Sequence, residues 1–282
     1  HNIGNDSSIS EWLINYQGGF TRRGLTGEIS IFISNFFDFP LRKSIFLLQT
    51  TIHLSFLVLI FYYLKNIRLN IIQTFALYAP IFLLYSVAEI EALGRKEVLL
   101  FLFFIISLIF SEKKYPAKIV NIFVFVTFPL MCLVWEQVIL FSPFIGTLLI
   151  IKNNFKSFKE SFSKLLIIFF PSILSILFIF INPLSAEGHK AMCEFLINTF
   201  NERCYMSANL LVLNTIYFST FDVVHSNANI QHYIRYIVIF FIGFFPLNLL
   251  VLKNNFLSKK NFFKKNFNLK YLFFLLYLPS IL

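Results

Sequence analysis

The 282 residues are 57% hydrophobic and 13% charged, with 40 phenylalanines and a mean hydropathy of +0.74, far more apolar than a soluble domain of this length requires. That excludes an ordinary soluble enzyme and predicts an all-α, multi-pass membrane protein with one polytopic domain over 1–282. The formal charge of +10 would suit nucleic acid, but the lysines flank apolar runs, as they do at the cytoplasmic edge of a membrane, so no nucleic-acid partner is expected.

Residues 1–43 form the first predicted loop. Within it the stretch NYQGGFTRRGLTGE, Asn15 to Glu28, sets Arg22 and Arg23 among Gly18, Gly19, Gly24 and Gly27. Beyond the glycines, Leu25, Ile29, Phe32, Ile33, Phe36 and Phe37 recur at helical spacing as one apolar stripe, with Thr26, Glu28, Ser30, Ser34 and Asn35 away from it. The segment is too short to cross a bilayer and predicts an amphipathic helix lying in the interface, its polar face wet. On that reading Phe32→Glu disturbs membrane seating and Ser34→Glu is tolerated. Gly18 and Gly19 would let the backbone approach a ligand, next to a helix start able to meet an anion.

Apolar runs then give seven to eight predicted transmembrane helices, at about 44–64, 70–88, 97–110, 119–135, 137–151, 165–182, 231–252 and from 271. The runs 97–110 and 137–151 are short enough to be re-entrant or buried instead. Beginning at His1 and ending inside YLFFLLYLPSIL, the chain reads as a piece of a longer protein with further spans on both sides.

Alternating the loops puts 14 of the 17 lysines on one side, in 65–69, 111–118, 152–164 and 253–270, which the positive-inside rule makes cytoplasmic. The exoplasmic side receives 1–43, 89–96, the WEQ turn at 135–137 and the long loop 183–230. Six of the seven arginines (Arg22, Arg23, Arg42, Arg95 and Arg203 in these loops, and Arg235 at the adjoining end of the span 231–252) fall on that side, against that rule. The planar arginine fork matches phosphate and carboxylate and keeps its charge where solvation is poor, so an anionic ligand is expected at the outer face. The alternative is that Arg22 and Arg23 anchor the helix to lipid phosphates.

The second exoplasmic turn, AEIEALGRKEVLL, crowds Glu89, Glu91, Arg95, Lys96 and Glu97 between two apolar runs, where charges need partners or a polar cavity. Glu91 and Arg95, four apart, could pair with each other. Between Lys118 and Lys152 the only charge is Glu136. A single helix of that length would overshoot a ~30 Å core by roughly 20 Å, so the run predicts a hairpin with Glu136 at its tip and Trp135 in the interface. Glu136 is then a solvated carboxylate, an arginine partner or a general base. In 183–230, Cys193 and Cys204 could form a disulfide in an oxidising compartment, while Cys132 is an apolar filler within a span. The histidines, among them His189 and His225, lack metal-ligand spacing; no metal site and no cofactor are expected.

Three segments, INYQGGFTRRGLTGE, LGRKEVLLF and WEQVILFSPF, carry a resemblance. Together they cover about an eighth of the chain. They resemble multi-pass bacterial proteins encoded with exopolysaccharide and O-antigen synthesis enzymes, polysaccharide polymerase-like and similar to the GT-C membrane glycosyltransferases. The resemblance implies a bacterial inner-membrane protein handling an undecaprenyl-linked saccharide at the outer face, beside membrane lipid and other polysaccharide-synthesis proteins. It departs from GT-C enzymes at the acidic pair usual after their first span, for which only Asp6 and Glu11 are present.

The reaction expected is glycosyl transfer or polymerisation. Arg22, Arg23, Arg95 and Lys96 would hold the diphosphate as charge develops on it. Glu28 or Glu136 would take the acceptor's proton, with Glu91, Glu97 and Glu11 behind them and His189 or His225 as second-choice bases. Flipping of a lipid-linked glycan would need ionisable groups along the spans, where His53 is one of few. A non-catalytic scaffold of a synthesis complex would leave the arginines as anchors.

Overall fold

The computed structural model describes residues 7–65, 94–112, 114–155 and 157–204. The elements within them are helical: α1 Ser7–Trp12, α2 Leu25–Phe37, α3 Leu41–Leu64, α4 Glu97–Ser111, α5 Ala117–Val134, a 3-10 segment Glu136–Phe141, α6 Ser142–Asn153, α7 Phe158–Ile181 and α8 Ala186–Phe200. Among the described residues no strand occurs.

Three of these helices, α3, α5 and α7, are long and apolar enough to cross a membrane. Their starts are set locally. Pro40 and Pro116 stand just before α3 and α5, where a missing N–H costs nothing. Ser157 caps α7, its hydroxyl accepting the Glu160 N–H at 3.2 Å. Proline interrupts two spans without ending them, Pro129 in α5 and Pro171 in α7; the carbonyl of Pro171 accepts a bond from the Ser175 hydroxyl at 3.0 Å. The expected spans at 70–88, 231–252 and from 271 lie outside the described residues, so seven to eight is not the number seen. The two short runs are short helices here. At 15 residues α4 is about 22 Å long, less than a ~30 Å core. The run 137–151 is split between the 3-10 segment and the 12 residues of α6.

Two larger apolar cores and a small one of Ile14, Leu184 and Met192 hold the described residues together. Val120, Val124, Phe128 and Cys132, every fourth residue of α5, meet Leu100 and Phe103 of α4, Ile145 and Leu149 of α6, and Ile168 and Phe169 of α7. Trp12, Leu13, Ile31, Leu41, Ile45, Val98 and Leu196 form the second, joining α1, α2, α3, α4 and α8. Many outward side chains are apolar, including Phe46 and Phe61 of α3 and Ile167 and Ile181 of α7, as a hydrocarbon surround allows.

Contacts gather the connections at two ends. At one, the Lys152 ammonium donates to the carbonyls of Glu112 and Tyr115 at 2.6 and 2.7 Å, and Lys65 lies over the Tyr62 ring. At the other, Trp12 reaches the 94–96 turn, and the segments around Arg23 and Glu136 meet. These are the two groups of loops that alternation by charge separates.

Two expectations are corrected. Most of the polar face of α2 is not wet: Thr26, Ser30 and Ser34 are buried against the protein, Ser30 completely, while Asn35 is exposed and Phe36 of the apolar stripe is 70% exposed. Small residues let helices approach closely, and the phenylalanines are left for lipid. The loop predicted at 183–230 begins with a helix, α8, whose start is capped by Ser185, its hydroxyl accepting the Gly188 N–H at 3.0 Å.

Candidate anion-binding site

The arginine-bearing loop is fixed before any arginine side chain is placed. Asn15 is buried; its amide donates to the Leu13 carbonyl at 2.9 Å and its side-chain oxygen accepts the Gln17 N–H at 2.9 Å. Glu28, one turn into α2, accepts from the Tyr16 N–H at 3.2 Å and from the Gln17 amide at 2.9 Å. Gly27 lies so close to the Ile14 carbonyl that a Cβ would strike it. Gly18 is likewise pressed on the backbone of Gly188 in α8, so its lack of a side chain serves packing rather than the ligand approach expected of it.

Arg23 sits in this loop with φ at 64°, the left-handed region that few residues other than glycine adopt. Two contacts over-determine it. The Lys96 ammonium donates to its carbonyl at 2.8 Å. Its guanidinium forks onto Glu136, Nε to Oε2 at 2.8 Å and Nη2 to Oε1 at 2.6 Å. Arg22 lies 3.6 Å from the same carboxylate. The Lys96 turn is held by the Gly94 carbonyl, which accepts from the Trp12 indole at 2.7 Å and from Gln49, two turns into α3, at 2.9 Å.

Lys96 and Glu136 are both buried, at 3% and 6% exposure. Burial drives the Lys96 amine down to about 7, opposed by Glu11 and abetted by the Arg23 charge. For Glu136 burial acts upward, but the Arg23 bond and charge, with Arg22 behind them, outweigh it and keep the carboxyl below the ordinary range. Three basic side chains thus face one carboxylate in a poorly solvated corner, which suits a multiply charged anion. Glu136 is an arginine partner, not a solvated tip.

The other expected site residues divide. Glu11 acts on Lys96 through its charge. Arg95 is half exposed and pairs with Glu97 at 3.0 Å; Glu91, its partner expected from sequence, and His225 lie outside the described residues. Glu28 closes the arginine loop. His189 lies against the sulfur of Cys193, which is joined to Cys204 with their Cα atoms 5.4 Å apart. His189, Cys193 and Cys204 cluster as metal ligands would, but the two sulfurs are spent on one another. Arg42, at the start of α3, forks onto Glu202 beside that disulfide.

Sequence reasoning missed Trp12 and Gln49. Neither is charged, and a shared bond to one backbone carbonyl leaves no pattern along the chain. It also missed Tyr16, whose ring packs on Gly24 and whose hydroxyl is pushed up to about 12 by burial and by Glu28. Comparison with protein-family models, with curated proteins and with solved structures finds no match to this chain.

Proposed function

We propose that the chain is a membrane glycosyltransferase or polysaccharide polymerase acting on polyprenyl-diphosphate-linked saccharides at the exoplasmic face of a bacterial inner membrane. The observation that carries this reading is that Arg22 and Arg23 meet buried Glu136, with buried Lys96 bonded to the Arg23 carbonyl beside them, from three turns far apart in sequence. Cations fixed in a poorly solvated corner act most strongly on charge that develops during reaction. In the proposed step the acceptor hydroxyl oxygen bonds to the anomeric carbon. The carbon–oxygen bond to the diphosphate breaks, its electron pair leaving with the diphosphate, and the hydroxyl proton passes to Glu136. Glu136 is favoured over Glu28 because it adjoins the arginines, whereas Glu28 is engaged with Tyr16 and Gln17.

The alternatives are a flippase of lipid-linked glycan and a non-catalytic member of a synthesis complex. The first gains little from α3, α5 and α7, whose central turns carry His53 as their one ionisable side chain other than cysteine and tyrosine. The test is the length of lipid-linked glycan in cells expressing the full-length protein or its Arg23→Ala variant at matched levels. The reading expects long chains to disappear and single units to accumulate on the outer leaflet. Units trapped on the inner leaflet would establish flipping, and unaltered chains would remove the arginine from function.

A further inference from the structure

We infer that the Glu136 carboxylate is a built-in stand-in for a substrate phosphate, occupying the two N–H groups of Arg23 that a diphosphate would take and giving them up when one binds. The inference rests on the diphosphate reading above and names how that site receives its ligand.

The Arg23–Glu136 contact is a two-bond fork, with Nε and Nη2 each meeting a different carboxylate oxygen. A phosphate offers a pair of oxygens at similar spacing, so the two groups compete for one donor pair. The partners are not equally anchored. Arg23 is gripped by its own carbonyl through Lys96, and its loop is pinned by Asn15, Glu28 and Gly27. Glu136 begins a 3-10 segment after an extended Trp135, and 3-10 turns, wound more tightly than an α-helix and with poorer hydrogen-bond geometry, often mark hinges. In an exchange the arginine therefore stays and the glutamate withdraws. Arg22, in an ion pair with Glu136 at 3.6 Å, and Lys96 lie beside the fork and add positive charge for the second phosphate.

The exchange also arms the base. Held by Arg23, Glu136 binds protons poorly. Released into a buried setting, an acid without its cation takes up a proton more readily, so Glu136 becomes competent as the substrate arrives.

The experiment measures binding of undecaprenyl diphosphate to the full chain in nanodiscs, with wild type, Glu136→Gln, Arg23→Lys and the double variant. Removing the internal competitor should tighten binding on the order of tenfold in Glu136→Gln, since a charged fork no longer has to be broken. Arg23→Lys should weaken binding in either background, and inorganic pyrophosphate should compete. Should Glu136→Gln fail to fold, Glu136→Asp, one carbon shorter, should tighten binding by a smaller factor. Unchanged or weaker binding in the folded Glu136 variants, with Arg23→Lys still impaired, would overturn the stand-in and leave the diphosphate site intact. No saturable binding by any variant would overturn both. Equal retention of phosphatidylglycerol lacking the diphosphate would also overturn both, leaving a headgroup anchor.

Discussion

Arg23 and Lys96 are each doubly committed. The arginine is held at its carbonyl and its side chain, and the lysine both holds that carbonyl and adds positive charge to the site. With its amine at about 7, Lys96 is protonated below that pH and neutral above it. A bound anion favours the charged form and raises the amine's affinity for its proton, so binding takes up a proton between the free and bound values. Affinity therefore falls as pH rises through that interval, by up to about tenfold per pH unit for one linked proton. A sugar-linked diphosphate is the appropriate probe. Titration calorimetry between about pH 6 and 9 should show this decline in wild type and a nearly flat profile in Lys96→Met. A flat wild-type profile would mean that Lys96 only supports the Arg23 carbonyl. That Arg22, Arg23, Lys96 and Glu136 belong together was legible in the sequence as an excess of charge at turns sharing one side. What each does was not, because the Arg23–Glu136 fork spans 113 positions and arises only when α5 stacks in the bundle.

At the scale of elements, α2 shows where a sequence pattern carries its boundaries but not its orientation. The apolar spacing identifies a 13-residue helix from Leu25 to Phe37, which the structure has. The misplacement of its polar face comes from treating small polar residues as wet, a rule for water rather than lipid. Ser34 is buried and its hydroxyl donates to the Phe39 carbonyl at 2.5 Å, while Phe32 points outward at 66% exposure. The outcome expected from sequence for Ser34 therefore reverses: Ser34→Glu should cost roughly 2 to 4 kcal/mol by burying an unpaired charge. Phe32→Glu should leave the folded bundle intact and weaken only its seating in lipid. Thermal unfolding in detergent separates the two; a lower midpoint for Phe32→Glu than for Ser34→Glu would refute the packing assigned to α2.

At the scale of the whole molecule, charged residues of the described segments gather at two ends. Lys152 and Lys114 border the 112–115 turn at one end, while Arg22, Arg23 and Arg42 pair with carboxylates at the other. The two forks differ in what they offer. Arg42–Glu202 joins the start of α3 to the segment closed by the Cys193–Cys204 disulfide, a structural tie. Arg23–Glu136 has Arg22 and Lys96 beside it. If the second is the diphosphate site, fork geometry should matter there as well as charge, because lysine offers only a point charge. The decisive measurement is release of polyprenyl diphosphate from a lipid-linked donor by reconstituted full-length protein, with Arg23→Lys compared against Arg42→Lys at equal incorporation. The account predicts a loss of about tenfold or more for Arg23→Lys and near wild-type turnover for Arg42→Lys; full turnover by Arg23→Lys would contradict it.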